Sequence, residues 1–186
     1  MAQADQNEYP ALLCDAMCGG LARWLRAFGT DAAHVPGIDD AELVKQALAE
    51  SRLVVSSDGR LFARRVFTSG RLSGLRMPVG LRLRGQLEYV VVRLALRVGF
   101  PRCTRCNGEL LVVRRAEVGD VVPVRSLIWA KAFFRCAACE HVFWEGTHWR
   151  RIERVRRELA FLSEGRRSDF SPGGTRLQNI RDAKLP

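Results

Sequence analysis

The chain has 186 residues, 47% of them hydrophobic, enough for one substantial core with a small satellite. It contains no run of about 18 apolar residues, which excludes a transmembrane helix and a membrane partner, and its polar, slightly acidic opening, Met1-Ala-Gln-Ala-Asp-Gln-Asn-Glu, is unlike a signal or transit peptide. The formal charge of +10 is uneven: residues 1–60 hold nine acids against five bases, whereas the rest hold 11 acids against 25 bases, a balance that suits a polyanion, with nucleic acid the usual one. The expectation is a soluble cytoplasmic protein whose six cysteines serve metal binding and burial rather than disulfides.

Residues 11–14 are a short apolar run ending at Asp15, a predicted strand. The stripe Leu21, Ala22, Trp24, Leu25 and Phe28 predicts a helix over 20–28 with Gly29 as its stop. Residues 32–35 read as a second strand, broken by Pro36-Gly37. The clearest helix covers 39–50: Asp39 with Glu42 three residues on resembles a capping box, and Leu43, Val44, Ala47 and Leu48 form the buried face. A third strand, 53–56, ends at Ser57-Asp58. Residues 68–85 are interrupted by Gly and Arg, with 79–83 as a candidate strand. Helical spacing at Leu87, Val90, Val91, Leu94 and Val98 predicts a helix over 86–98. Strands alternating with helices imply an α/β domain with a mainly parallel sheet covered by helices.

Beyond a boundary at Phe100-Pro101, Cys103-x2-Cys106 and Cys136-x2-Cys139 stand 29 residues apart. This pattern places four thiolates where they can close a tetrahedron around structural Zn²⁺. Cys106-Asn107-Gly108 supplies a turn after the first pair. Phe133-Phe134-Arg135 and Val142-Phe143-Trp144 bracket the second pair like a hairpin, so a small β zinc ribbon is expected over 101–150. From Arg150, Ile152, Val155, Leu159 and Leu162 line one face of a basic amphipathic helix over 151–163. The polar segment 164–186 is expected to be disordered.

In an α/β sheet, functional groups gather beyond the carboxyl ends of the strands. Asp15 follows the first predicted strand and Asp58 the third, while Asp39, Asp40 and Glu42 open the helix after the second. Three segments can thus bring carboxylates to one edge, where their hard oxygens suit Mg²⁺ or Mn²⁺. Each acid also has a purely structural use: Asp39 as a helix cap, Asp58 in a turn before Gly59, and Asp15 beside the first helix.

The order Leu13-Cys14-Asp15-Ala-Met17-Cys-Gly-Gly-Leu21-Ala-Arg23-Trp24-Leu25-Arg26-Ala-Phe-Gly29 resembles the opening motif of the Mut-seven C-terminal RNase domain, a PIN-like family. The resemblance continues through Asp39-Asp40-Ala-Glu42-Leu43, Val54-Val55-Ser56-Ser57-Asp58, the paired cysteines and Trp144-Glu-Gly-Thr-His148-Trp149. It implies a PIN-like three-layer domain over 9–100 and cleavage of single-stranded RNA around a divalent metal. Carried over, Asp15, Asp40 and Asp58 become metal ligands, with Asp39 and Glu42 as helpers. The family more often shows Thr-Arg-Asp where this chain has Ser56-Ser57-Asp58-Gly59-Arg60, which moves a phosphate-contacting arginine to Arg60. Arg23 and Arg26, on the helix beside Asp15, and His148, between Trp144 and Trp149, complete the expected RNA contacts. The rival expectation is a non-catalytic module that binds RNA, the ribosome or another ribonucleoprotein. Oligomeric state is left open.

Overall fold

The computed structural model describes residues 10–164, so the expected C-terminal disorder from residue 165 onward lies outside the described residues. Strand β1 (Leu12–Cys14) is wholly buried and pairs in parallel on both sides, with β2 (Ala32–His34) and with β3 (Leu53–Ser56). A fourth parallel strand, β4 (Gly74–Arg76), joins β3, so the order is β2-β1-β3-β4. Alternate side chains leave opposite faces of a strand. Leu12, Cys14 and Val55 therefore enter one core with Leu21, Leu25 and Phe28, while Leu13 and Val54 enter another with Leu43, Ala47 and Leu61. Two cores on one sheet make three layers, the α/β arrangement expected.

Helix α1 (Gly19–Phe28) follows β1 through a short 3-10 turn and ends at Gly29 with φ +102°. Only glycine serves there, because a Cβ would also lie 2.6 Å from the backbone of Gly99. Helix α2 (Asp40–Ala49) is capped by Asp39, whose carboxylate accepts the N–H groups of Ala41 and Glu42. Glu42 turns instead to Lys45. After β3 come two single-turn helices, α3 (Gly59–Phe62) and α4 (Arg65–Thr68), which the sequence pattern did not predict.

The candidate strand at 79–83 is corrected. Gly80 takes φ +85° in a turn, Val79 is exposed, and the pairing strand lies earlier, at β4. Leu83 instead opens α5 (Leu83–Arg93), which covers the first core through Leu87, Val90 and Val91. This helix stops five residues short of the predicted end, since Ala95 takes φ +49°. Leu94 and Val98 still pack against that core, from the connection rather than the helix.

The second sheet is antiparallel, with β5 (Leu110–Val113) and β6 (Phe133–Cys136) separated by the short α6 (Val124–Trp129), and β7 (Val142–Trp144) on the far side of β6. Helix α7 (Thr147–Glu164) then returns to the first unit. There Leu159 is fully buried, Val155 packs beside it, and the buried Arg156 donates to the carbonyl of Gly99. No helix of the described residues is long and apolar enough to cross a membrane.

Candidate functional site

The carboxyl ends of the parallel strands share one edge, and β1 ends between β2 and β3 because Cys14 is in register with both His34 and Val55. The next residue, Asp15, is half-buried at the centre of that edge. One carboxylate oxygen accepts the N–H of Ala16 at 2.6 Å and the other accepts the hydroxyl of Ser56 at 2.5 Å. Ser56, fully buried at the end of β3, also accepts the backbone N–H of Asp58 at 3.0 Å. Asp58 in turn caps α3 by accepting the N–H of Arg60 at 2.8 Å. One serine thus ties together two of the predicted acids. Both carboxylates retain unused oxygen lone pairs, the donor type that a hard divalent cation takes.

The remaining acids are engaged differently. Asp40 pairs with Arg64 at 3.4 Å. Asp39 is held below the usual carboxylate range by the N–H groups of Glu42 and Ala41, which it caps. Among the described residues, the group of three or more metal-ligating side chains close enough to share an ion is not this one but the four cysteines.

Two edge residues escaped the sequence pattern. His34 ends β2, its Nε2 3.0 Å from the carbonyl of Ala16 and its ring 3.0 Å from where a Gly19 side chain would begin. Arg76 ends β4 in register with Ser56, and its guanidinium fills the space a Gly59 side chain would take, 2.9 Å away. A cation therefore lies over the turn that carries Asp58. Only recognition of β4 as a strand could have found it. Arg60 is exposed on α3 nearby.

All four cysteine sulfurs lie within 4.8 Å of one another, with Cys103 and Cys139 at 3.6 Å and Cys106 and Cys136 at 3.4 Å. A tetrahedral site with Zn–S bonds of ~2.3 Å requires sulfurs about 3.8 Å apart, so the cluster fits zinc. The two loops are built alike. Asn107 and Glu140 each follow the second cysteine of a pair, take φ of +73° and +57°, and return their N–H to the carbonyl of the first. Gly108 is required beside them, since a Cβ would stand 2.8 Å from the Cys136 sulfur. Burial opposes thiolate formation at Cys136, yet N–H groups of Cys139 and Ala138 and the neighbouring thiols bring it down to about 7. His141 packs edge-on against Phe143 instead of joining the cluster.

The ribbon is fastened to the first unit by polar contacts. Arg26, only 5% exposed, donates to the carbonyls of Ala32 at 2.7 Å, Thr104 at 3.1 Å and Arg105 at 3.3 Å. Its guanidinium is thereby directed at protein carbonyls. Asn107 accepts the N–H of Ala32 and donates to Asp31, which also receives Arg52. Phe134 stacks on Trp149 at 5.1 Å and meets Phe100 edge-on, a miniature core for the ribbon. Arg23 and His148 are exposed and line one cleft between α1 and the start of α7.

The family model described as the Mut7-C RNAse domain matches residues 10–156. No curated protein and no solved structure shows a match. The matched span takes in the acidic edge, both cysteine pairs and the start of α7. It points to a ribonuclease with RNA as substrate. A parallel sheet ending in Asp15 and Asp58, followed by a four-cysteine ribbon, is the form that this match takes here, and the chain belongs to the Mut7-C RNase domain family.

Proposed function

We propose that the protein is a cytoplasmic, divalent-metal-dependent ribonuclease acting on single-stranded RNA, with a catalytic α/β unit and a zinc ribbon that helps to hold the RNA. The observation that carries this reading is the link Asp15–Ser56–Asp58 at the carboxyl edge of the sheet. Asp15, Asp40 and Asp58 would hold Mg²⁺ or Mn²⁺, with Asp40 giving up its pair with Arg64 and Asp39 and Glu42 keeping the start of α2 in place. A bound cation supplies Lewis acidity and offsets the charge that builds on the phosphoryl oxygens.

The chain's own groups supply the rest. Ser56 holds Asp15 in one orientation. Arg60 and Arg76 bring positive charge to the same edge, where it favours the phosphodiester and its more highly charged transition state. The excess of bases beyond residue 60 supports a long, salt-sensitive contact with the RNA backbone.

A second reading, an RNA- or ribosome-binding module without turnover, is favoured by two observations: Asp40 is committed to Arg64, and the three acids do not form a group close enough to share an ion as they stand. Cleavage of a labelled single-stranded RNA with Mg²⁺, Mn²⁺ or EDTA separates the two. Metal-dependent cutting that disappears in both Asp15→Asn and Asp58→Asn supports the nuclease. RNA that is bound but left intact with every metal overturns it and leaves the binding module.

A further inference from the structure

Helix α1, the first cysteine loop and the start of α7 border an open cleft of roughly 360 Å³. That is within the size range of small-molecule sites, about 300–1,000 Å³. Its apolar wall comes from Trp24, Ala27 and Ile152, and its polar rim from Arg23, His148 and Arg151, with no acid among the lining residues. Trp24 packs against the first core, so its indole is held rather than loose.

The two arginines on this rim are unlike those that the fold itself uses. Arg26, Arg52, Arg84 and Arg156 are each bound to carboxylates or carbonyls. Among the described residues, Arg23 and Arg151 have no such partner, and both are exposed. Two uncompensated guanidinium groups over a fixed aromatic wall match a ligand with an anion on one side and a flat ring on the other. A nucleotide has that form.

We propose that this cleft is a nucleotide subsite that receives one unit of a single-stranded RNA, with a phosphate between Arg23 and Arg151 and the base against Trp24. The nature of the polymer rests on the ribonuclease reading above. Arg23 lies one turn of α1, ~6 Å, beyond Gly19, and the turn before Gly19 is capped by Asp15. RNA held in the cleft is thus led along α1 toward the acidic edge. Stacking on one indole does not select among bases, so the subsite fixes register and affinity rather than sequence. Thr104, between Cys103 and Cys106, forms part of the wall, which makes the cleft depend on the cysteine loop being ordered.

The test uses the zinc-loaded full chain and a labelled single-stranded oligoribonucleotide. Binding is measured across a salt series without Mg²⁺ or Mn²⁺, and cleavage is measured with them. Arg23→Ala and Arg151→Ala are each expected to weaken binding about tenfold and to lower the salt slope by about 0.7 for each phosphate left unneutralised. KM should rise by more than kcat falls, Arg151→Lys should recover part of the affinity, and Trp24→Phe should bind better than Trp24→Ala. Arg71→Ala, an exposed arginine before the opposite end of β4, serves as the control. If the double variant binds with the parent's affinity and salt slope while the parent cuts RNA, the subsite is overturned and the nuclease stands. If the parent neither binds nor cuts RNA, both proposals fall.

Discussion

The hydroxyl of Ser56 donates to the Asp15 carboxylate at 2.5 Å while accepting the N–H of Asp58 at 3.0 Å. Asp15 and Ser56 are 41 residues apart in sequence and sit at the ends of adjacent parallel strands. The buried serine therefore fixes the orientation of one predicted ligand and the start of the turn that carries another. Ser56→Ala should lower cleavage about 10–100-fold through the misplaced Asp15 and should cost about 1 kcal/mol of stability. Asp15→Asn, which keeps the shape, should lower cleavage by at least as much with little change in RNA affinity. Single-turnover kinetics beside a binding titration would check both.

One zinc per chain is expected by metal analysis, together with a clear order of thiol reactivity. In the zinc-loaded protein, alkylation should be slow at all six cysteines. A chelator should expose the four ribbon cysteines to alkylation. Cys14 should stay unreactive in the folded chain, since burial, and then the charge of Cys18, pushes its thiol up to about 12. Burial and the nearby Asp15 charge raise Cys18 to about 11. Mass-spectrometric mapping of the alkylated sites reads this directly.

Arg26 acts as a clamp between the two units, and burial lowers its pKa from the usual arginine value. Arg26→Met keeps much of the stem but leaves the carbonyls of Ala32, Thr104 and Arg105 without this donor. A loss of roughly 2–4 kcal/mol is expected, read as a lower midpoint in urea. Hydrogen exchange should rise most at residues 102–107, where the clamp ends.

Asp31 makes the junction sensitive to acid. Burial works against its charge, but hydrogen bonds from Arg52 and Asn107 outweigh burial and hold its pKa below the usual value. A carboxyl depressed in the folded state contributes stability above its unfolded pKa of about 3.9, and that contribution disappears as pH falls through the lower folded value. Asp31 is 35% exposed, so solvent screening limits the contribution to about 1 kcal/mol. Asp31→Asn should lower stability at neutral pH by about that amount. It should also flatten the decline below about pH 4, as followed by thermal melting across pH.

The alternating units up to Asp58 and the two cysteine pairs of the ribbon were legible from order alone. A buried strand of three or four apolar residues, a capped helix, and a C-x-x-C loop each depend on neighbours within a few positions. Asp39 as the cap of α2 and Gly29 as the stop of α1 are examples: the residue type needed and the backbone geometry are both local. The stretch 68–85 was not legible, since β4 is three residues long and owes its extended form to pairing with β3, not to its own pattern.

Tertiary structure alone decided which charged groups face which. Arg23 and Arg26 are one turn apart on the same helix, yet one is exposed in a cleft and the other is buried among carbonyls of the ribbon. Helical spacing places both; only the approach of the ribbon, more than 70 residues later, separates their roles. Likewise, no local pattern joins Asp15 to Ser56, sends Asp40 to Arg64, or lays Arg76 over Gly59. The residues themselves determined the elements up to Asp58 and the two C-x-x-C loops that could hold zinc, because those interactions are short in sequence. The pairing of charges across the sheet edge required the folded chain, because long side chains take their partners from whatever packing brings within ~3–4 Å.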